Sequence, residues 1–406
     1  MYIQESLHSL SKKIAVITVI SIIVTTIVMP SNFIVLGSPL KVALIVGGDE
    51  TDLGFSYMAI LGAQAIATEY PDWTVSISKL VSFVEQRAVA AQYGDEGYDL
   101  VYVVGGQFQV MMYGYDGLDP IPELYPNTFW VMIPGGGYSP FQNMAALGPT
   151  FQIVGHFLAG ILVAEMTTTR NVGTVYGEYY PYTNMECNAF IAGVHSVDPS
   201  IVVYNREVGA WDDPSLGYSL AEALIVNHDV DIIVHVADYS GRGVISACVE
   251  YDIMVIGCVA DQWELAPDNM LTSILMDIPR FMDMIVQCIL GGGFLGYMSI
   301  EIDLSGLAPF HNLDPLVPQD VKDLLAASAA LIKTDLNFDG KVNILDIATA
   351  AKAFGSYPGH GRWDPMVDVN GDNKIDIRDI ARVAKNFGET FTPVPLDDSQ
   401  PPEQSP

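Results

Sequence analysis

Two stretches near the C-terminus, DLNFDGKVNILD (Asp335–Asp346) and DVNGDNKIDIRD (Asp368–Asp379), carry oxygen-bearing side chains at the same loop positions. Positions 1, 3, 5, 9 and 12 are Asp335, Asn337, Asp339, Asn343 and Asp346 in the first, and Asp368, Asn370, Asp372, Asp376 and Asp379 in the second. Position 7 is lysine in both (Lys341, Lys374), where only a backbone carbonyl has to face an ion. A hard cation that takes six to eight oxygens at about 2.3–2.6 Å needs this spacing, so each loop is predicted to hold one calcium ion, two in all. Gly340 supplies the sharp turn at position 6, and Asn373 in the second loop also tolerates a left-handed backbone. The repeat continues into IATAAKAFG and IARVAKNFG, so each loop runs into a helix with the same apolar face.

A duplicated loop-helix unit with Asp at position 12 and no helix before each loop resembles a dockerin module, over roughly Thr334 to Glu389. The resemblance implies a small, α-helical, EF-hand-like unit that folds on calcium outside the cell or on its surface. It also implies docking to a cohesin domain through Ile344/Leu345 and Ile377/Arg378, which follow position 9 and differ between the copies. A calcium-stiffened tail without a partner is the alternative.

Other elements must hold the rest of the chain. KVALIVGG, WTVSISKL, DLVYVVGG, TFWVMIPGGG, NVGTVYG, IVVYNREVG, VDIIVHVA and IMVIGCVA read as buried strands. Between them lie helical stretches such as Gly54–Glu69, Phe83–Tyr93 and Phe151–Thr167. This alternation predicts an α/β protein with parallel sheets covered by helices, and the number of strands predicts two doubly wound domains. Ligands in such folds bind beyond the carboxyl ends of the strands. Those ends carry Gly47-Gly48-Asp49, Gly105-Gly106-Gln107, Gly135-Gly136-Gly137 and Asp238-Tyr239-Ser240-Gly241, which makes Gln107 and Asp238 candidates for ligand contact.

FLAGILVAEMTTTRNVGTVYG, NAFIAGVHSVDPSIVV, VGAWDDPSLG, APDNMLTS and GLAPFHN…LVPQDVK, in this order, resemble the basic membrane protein family over roughly Lys41 to Lys333. These are solute-binding proteins of ABC importers, several of which bind purine nucleosides. The resemblance implies a type I periplasmic-binding fold, with two hinged α/β lobes and the ligand between them. The family's DKSFN segment is DLGFS here, so Asp52 and Phe55 are kept and Ser56 replaces an asparagine. Trp211, in VGAWDDP, falls at the second stacking aromatic, and a base between Phe55 and Trp211 would gain about 1–3 kcal/mol from stacking. The family's GVDSDQ is GCVADQ here: Val259 replaces the acid that usually holds ribose, leaving Asp261 and Gln262 as polar candidates. A family lysine is Met276.

Nothing in the chain supports an enzyme. There is no GxSxG, HExxH or Walker-type loop. Gly291–Gly296 satisfies GxGxxG but follows a predicted helix (Arg280–Leu290) and precedes a strand, the reverse of a dinucleotide site. His156, His195 and His235 lie in apolar stretches and read as core residues, and Asp212–Asp213 reads as a helix cap. Forty-eight acids against eighteen bases, a net charge of −30, argue against nucleic acid or anionic membranes as partners. The four cysteines show no short-range pairing and read as buried thiols.

Lys12 and Lys13 precede an apolar run, Ile14 to Met29, and Gly37-Ser38 offers a cleavage point, the pattern of a secretory signal. The run is also near the ~20 residues that span a bilayer, so an uncleaved anchor is the alternative. The expected organisation is an export segment (1–37), a two-lobed body (38–333), the calcium module (334–389) and an acidic, proline-rich tail (390–406). The helix expected at Pro318–Lys333 leads almost directly into Asp335, which predicts a fixed orientation of module on body. The expected function is a secreted or surface-held receptor that captures a nucleoside-like solute for an ABC permease. The competing expectation is a surface interaction protein in which the module binds cohesin and the body has lost its ligand.

Overall fold

The computed structural model describes residues 39–135, 139–148, 152–294, 296, 298–300 and 304–391. The export segment, the tail from 392 and the expected contacts at Gly136 and Gly137 lie outside the described residues. Strands of four to six residues with continuous apolar runs, such as LVYVV and IIVHV, are buried along their whole length. That is what parallel strands covered on both faces require.

Twelve strands are described: β1 (Lys41–Val46), β2 (Thr74–Ser78), β3 (Leu100–Val104), β4 (Phe129–Ile133), β5 (Met144–Leu147), β6 (Asn171–Tyr176), β7 (Val202–Glu207), β8 (Ile232–Val236), β9 (Met254–Val259), β10 (Met270–Met276), β11 (Met298–Ile300) and β12 (Ser305–Leu307). They form two six-stranded sheets, ordered β11-β5-β4-β3-β1-β2 in lobe 1 and β12-β10-β9-β8-β6-β7 in lobe 2. All pairings are parallel except β10 with β12. The chain therefore crosses between lobes three times: after β5, after β10 and after β11. The middle crossing uses the helix Ile278–Leu290, which packs on the lobe 1 helix Phe55–Glu69, and Tyr102 Oη donates to the Met282 carbonyl at 2.6 Å.

This is the type I periplasmic-binding architecture expected above. The expected strands are present; β5, β10 and β12 are additions. All four cysteines are buried and free. His156 and His235 are core residues, and burial lowers both to a pKa of about 4. His195 is not: it is exposed near the end of the helix Pro181–Val197, where its Nε2 meets the Ile201 carbonyl at 3.2 Å. Its apolar sequence neighbours turn to the other side of that helix.

In the C-terminal module, helices Ile344–Ala353 and Ile377–Lys385 begin with capping boxes, Asn343 with Asp346 and Asp376 with Asp379. They enclose a small core of Ala350, Ala353, Trp363, Val367 and Ile375. The segment after the second helix returns to the first loop, with Gly388 N–H donating to Val342 O and Phe391 N–H to Gly340 O. The module is seated on the body as well. Phe338 and Phe391 pack against the lobe 2 core, and Asn386 Nδ2 donates to Ala330 O and Thr334 Oγ1.

Candidate functional site: an interlobe cleft and a duplicated loop

A cavity of about 620 Å³ lies between the carboxyl ends of the two sheets. Lobe 1 reaches it through the turns after β1, β2, β3 and β4; lobe 2 does so after β6, β7, β8 and β9. Asp52, Phe55, Ser56, Gln107, Trp211 and Asp238 all line it. Phe55 and Trp211 thus stand on opposite lobes and share one opening.

Each of these side chains is held from behind. The Trp211 Nε1–H donates to Glu178 Oε2 at 2.6 Å, and its ring lies so close over Gly177 that a Cβ there would sit 2.4 Å from Cε3. Tyr180 stacks behind it at 6.4 Å between centroids. Gln107 folds back over Gly47 and Gly105, and Gly105, at φ +134°, has a backbone that only glycine adopts readily. Asp52 is buried, and its oxygens accept from the N–H groups of Gly54, Ser56 and Tyr57 at 2.8–3.1 Å. It therefore closes the open end of the helix Phe55–Glu69, where a carboxylate also meets the positive end of the helix dipole. Ser56 Oγ accepts from Gly48 N–H at 3.1 Å and so fixes the first turn of the cleft.

Asp238 reaches across from lobe 2 with a left-handed backbone (φ +46°) and accepts from the Phe55 N–H of lobe 1. Burial, followed by the charge of Asp52, pushes its carboxyl up to about 7. The residue keeps some exposed surface, but its Oδ1 is fully shielded and has no partner among the described residues.

Asp261 and Gln262 are placed elsewhere and do not line the cavity. Asp261 pairs with His311 at 2.7 Å on the outside of lobe 2. Gln262 is 2% exposed and spent on structure: Oε1 accepts from Cys258 N–H and meets His235 Nε2, while Nε2 donates to Leu53 O of lobe 1. Val259, where the family resemblance puts an acid, does line the cavity. Its φ of +72° and the bond from Ala260 N–H to Cys258 O form a γ-turn, a strained arrangement for a β-branched residue. Met276 is fully buried and not part of the lining.

The lining also includes residues that the strand ends and the resemblance did not point to: Glu178, Tyr182 and Glu186, with Gln152 from the helix Ile153–Met166 side. Glu178 directly follows β6 in GEYYPYTNMEC, the same kind of strand-end position as Asp49 and Gln107, so that signal was available. Glu186 lies further along, inside the helix Pro181–Val197, where no strand-end rule marks it.

The two C-terminal loops share a set of bonds, while Asp346 Oδ1 accepts from Leu336 N–H at position 2 and Asp379 Oδ1 from Asn370 N–H at position 3. Gly340 and Asn373 N–H donate to Asp335 and Asp368 Oδ2; Asp339 and Asp372 N–H to Asn337 and Asn370 Oδ1; Lys341 and Lys374 N–H to Asp339 and Asp372 Oδ1; and Asn343 and Asp376 N–H to Asp346 and Asp379 Oδ2. Gly340 and Asn373 both take the left-handed backbone expected at position 6. Phe338 and Gly371 take it at position 4 as well. Asp335, Asp346, Asp368 and Asp379 are all buried, and burial raises the Asp335 and Asp368 carboxyls. A divalent cation in each loop would offset the desolvation of these buried carboxylates, although among the described residues no three His, Cys, Asp or Glu side chains are gathered closely enough to hold one.

Residues 40–336 match the family described as ABC transporter substrate-binding protein PnrA-like, and residues 333–388 match the dockerin type I domain. The chain is similar to basic membrane protein A of Borreliella afzelii, 24% identical over 316 residues that cover 73% of this chain and 90% of that protein. It is also similar to the transcriptional activator protein med of Bacillus subtilis, 24% identical over 59% of this chain and 70% of that one. Among solved structures, an ABC transporter solute-binding protein from Aeropyrum pernix shares the fold at a TM-score of 0.61 and 20% identity, covering 72% of this chain and 91% of that chain. The fold and cleft define a solute-binding protein, a class that binds and does not catalyse. The chain belongs to the PnrA-like family of ABC transporter substrate-binding proteins and carries a dockerin type I module at its C-terminal end.

Proposed function

We propose that this protein captures a nucleoside-like solute between its lobes and presents it to an ABC permease. The observation that carries the reading is the pair Phe55 and Trp211, contributed by opposite lobes to one cavity of about 620 Å³. A flat ring between them would gain about 1–3 kcal/mol per stacking contact, and only when the lobes are shut. Asp52, Ser56, Gln107 and Asp238 are the polar contacts proposed for its edge. The test is calorimetric titration with nucleosides: Trp211→Ala should weaken binding about 10- to 100-fold. Unchanged affinity in that variant would exclude the sandwich.

The module is proposed to hold two calcium ions. One would take Asp335, Asn337, Asp339, Asn343, Asp346 and the Lys341 carbonyl; the other Asp368, Asn370, Asp372, Asp376, Asp379 and the Lys374 carbonyl. Calcium supplies charge that balances the buried carboxylates. A cohesin is the proposed partner, and the exposure of Ile344, Leu345 and Ile377 (57–65%) supports this. Such an arrangement would serve outside the cell or on its surface. No helix among the described residues is long and apolar enough to cross a membrane.

A further inference from the structure

The walls of the cleft carry one sign of charge. Asp49 and Asp52 line it from lobe 1, Glu178, Glu186, Asp212 and Asp238 from lobe 2, and no lysine, arginine or histidine lines it among the described residues. In so acidic a chain, exposed carboxylates mean little. Buried ones are different, because a carboxylate removed from water is costly unless donors or a cation replace that water.

Asp52 is compensated by its three backbone N–H donors. Glu186 is 1% exposed and lines the cavity, and burial raises its carboxyl. Asp238 Oδ1 is shielded and lacks a donor among the described residues. Arg242 does not supply one; its guanidinium bonds the Thr51 carbonyl and lies 5.9 Å from the Tyr239 ring, outside the lining. Within the lining, Gln152 Nε2 is a donor with no partner among the described residues, suited to a solute hydroxyl rather than to a charge.

Closure adds to this. Asp52 and Asp238 belong to different lobes, so shutting the cleft drives two carboxylates together. A solute favours the closed form only by interacting better with it than with the open one.

We infer that the solute of this cleft is an organic cation: a flat nitrogen heterocycle with positive charge on its ring, faced by Phe55 and Trp211 and edged by Glu186 and Asp238. The inference rests on the receptor reading above and sharpens it from ring shape to ring charge. Aromatic faces attract cations in their own right. The buried carboxylates gain a partner, and the repulsion between Asp52 and Asp238 turns into shared attraction when the lobes shut.

The test is calorimetric titration of the full chain, with calcium and at low ionic strength, against adenosine, its ring-charged counterpart 1-methyladenosine, and adenosine 5′-monophosphate. 1-Methyladenosine should bind about tenfold or more tighter than adenosine, and the advantage should shrink as salt is raised. The monophosphate should bind weakest. Glu186→Gln should remove most of the preference, and Asp212→Asn, at the exposed rim, should reduce it about twofold. Equal affinity for the first two ligands, or tight binding of the monophosphate, overturns the inference and leaves the ring-binding receptor standing. Binding of none of the three removes both.

Discussion

The C-terminal module and the interlobe cleft solve the same problem, how to keep carboxylates out of water, in opposite ways. In the module every group that faces a loop centre lies within twelve residues of sequence, and the two copies repeat the same bonds from backbone N–H to carboxylate. In the cleft the acids arrive from strand ends and helices between Asp49 and Asp238; Glu186 is buried in its wall, and Asp238 Oδ1 has no donor among the described residues. The module thus carries its repeated acids in local spacing. The cleft exists only after both lobes have folded and closed, and its electrostatics belong to the assembled shape.

The largest effect expected from this contrast is that of calcium removal. Ligand binding to the folded state stabilises it by about 4 kcal/mol when free calcium is a thousandfold above its dissociation constant. Chelation should therefore abolish hydrogen-exchange protection across residues 334–391. It should also loosen the end of the helix Gln319–Ile332, because Asn386 bonds its Ala330 carbonyl and Phe338 and Phe391 pack on the lobe 2 core. Lobe 1 should keep its protection. Protection unchanged in the module, or lost throughout lobe 1, would show that calcium and the body are coupled differently.

The same contrast explains what could be read from the sequence. Parallel strands such as LVYVV and IIVHV are legible because burial on both faces demands an unbroken apolar run. β12, of three residues, is too short to show a period, and β5 is four residues of Met, Ala and Leu that any buried segment could contain. The proposed calcium ligands can be named from the sequence because their spacing repeats in each loop. Position 4 cannot be: Phe338 shares a left-handed backbone with Gly371, and nothing in its chemistry asks for one. In the cleft, Phe55 and Trp211 came from motif likeness. Asp261 and Gln262 were misplaced because the turn at Val259 sends the next residues behind the cleft wall, where Gln262 braces lobe 1 through Leu53. Glu186 was missed because only the packing of its helix tells which face looks into the opening.

Phe338 offers a smaller, sharper test of how the module is seated. Its ring is partly buried against lobe 2 while its backbone holds φ +55°, which is unfavourable for a bulky residue. Phe338→Ala should cost about 2 kcal/mol, less than truncating a fully buried ring. Phe338→Gly should recover roughly 1 kcal/mol of that, because glycine accepts the left-handed backbone without strain. Thermal unfolding of the full chain with calcium measures both. An alanine variant as stable as the parent would mean that Phe338 does not anchor the module.

The smallest expected effect lies in the cleft and depends on pH. Burial and the Asp52 charge hold the Asp238 carboxyl at about 7 in the folded state, against an ordinary 3.8. Between about pH 4 and 7 the folded protein keeps a proton that the unfolded chain has already released. Stability from this group is therefore greatest below pH 4, falls as pH rises through that window, and levels off above 7. Asp238→Asn keeps the shape and tolerates the left-handed backbone, but cannot ionise. It should flatten this part of the profile and leave the protein more stable than the parent at pH 8. Denaturant melts of both chains at pH 5 and pH 8 isolate the difference, since the remaining carboxylates titrate in each. Parallel profiles would mean that the closed cleft does not hold a proton on Asp238. A steeper decline in the parent would show that burial and the Asp52 charge together favour the protonated carboxyl, so that a cation entering the cleft displaces that proton.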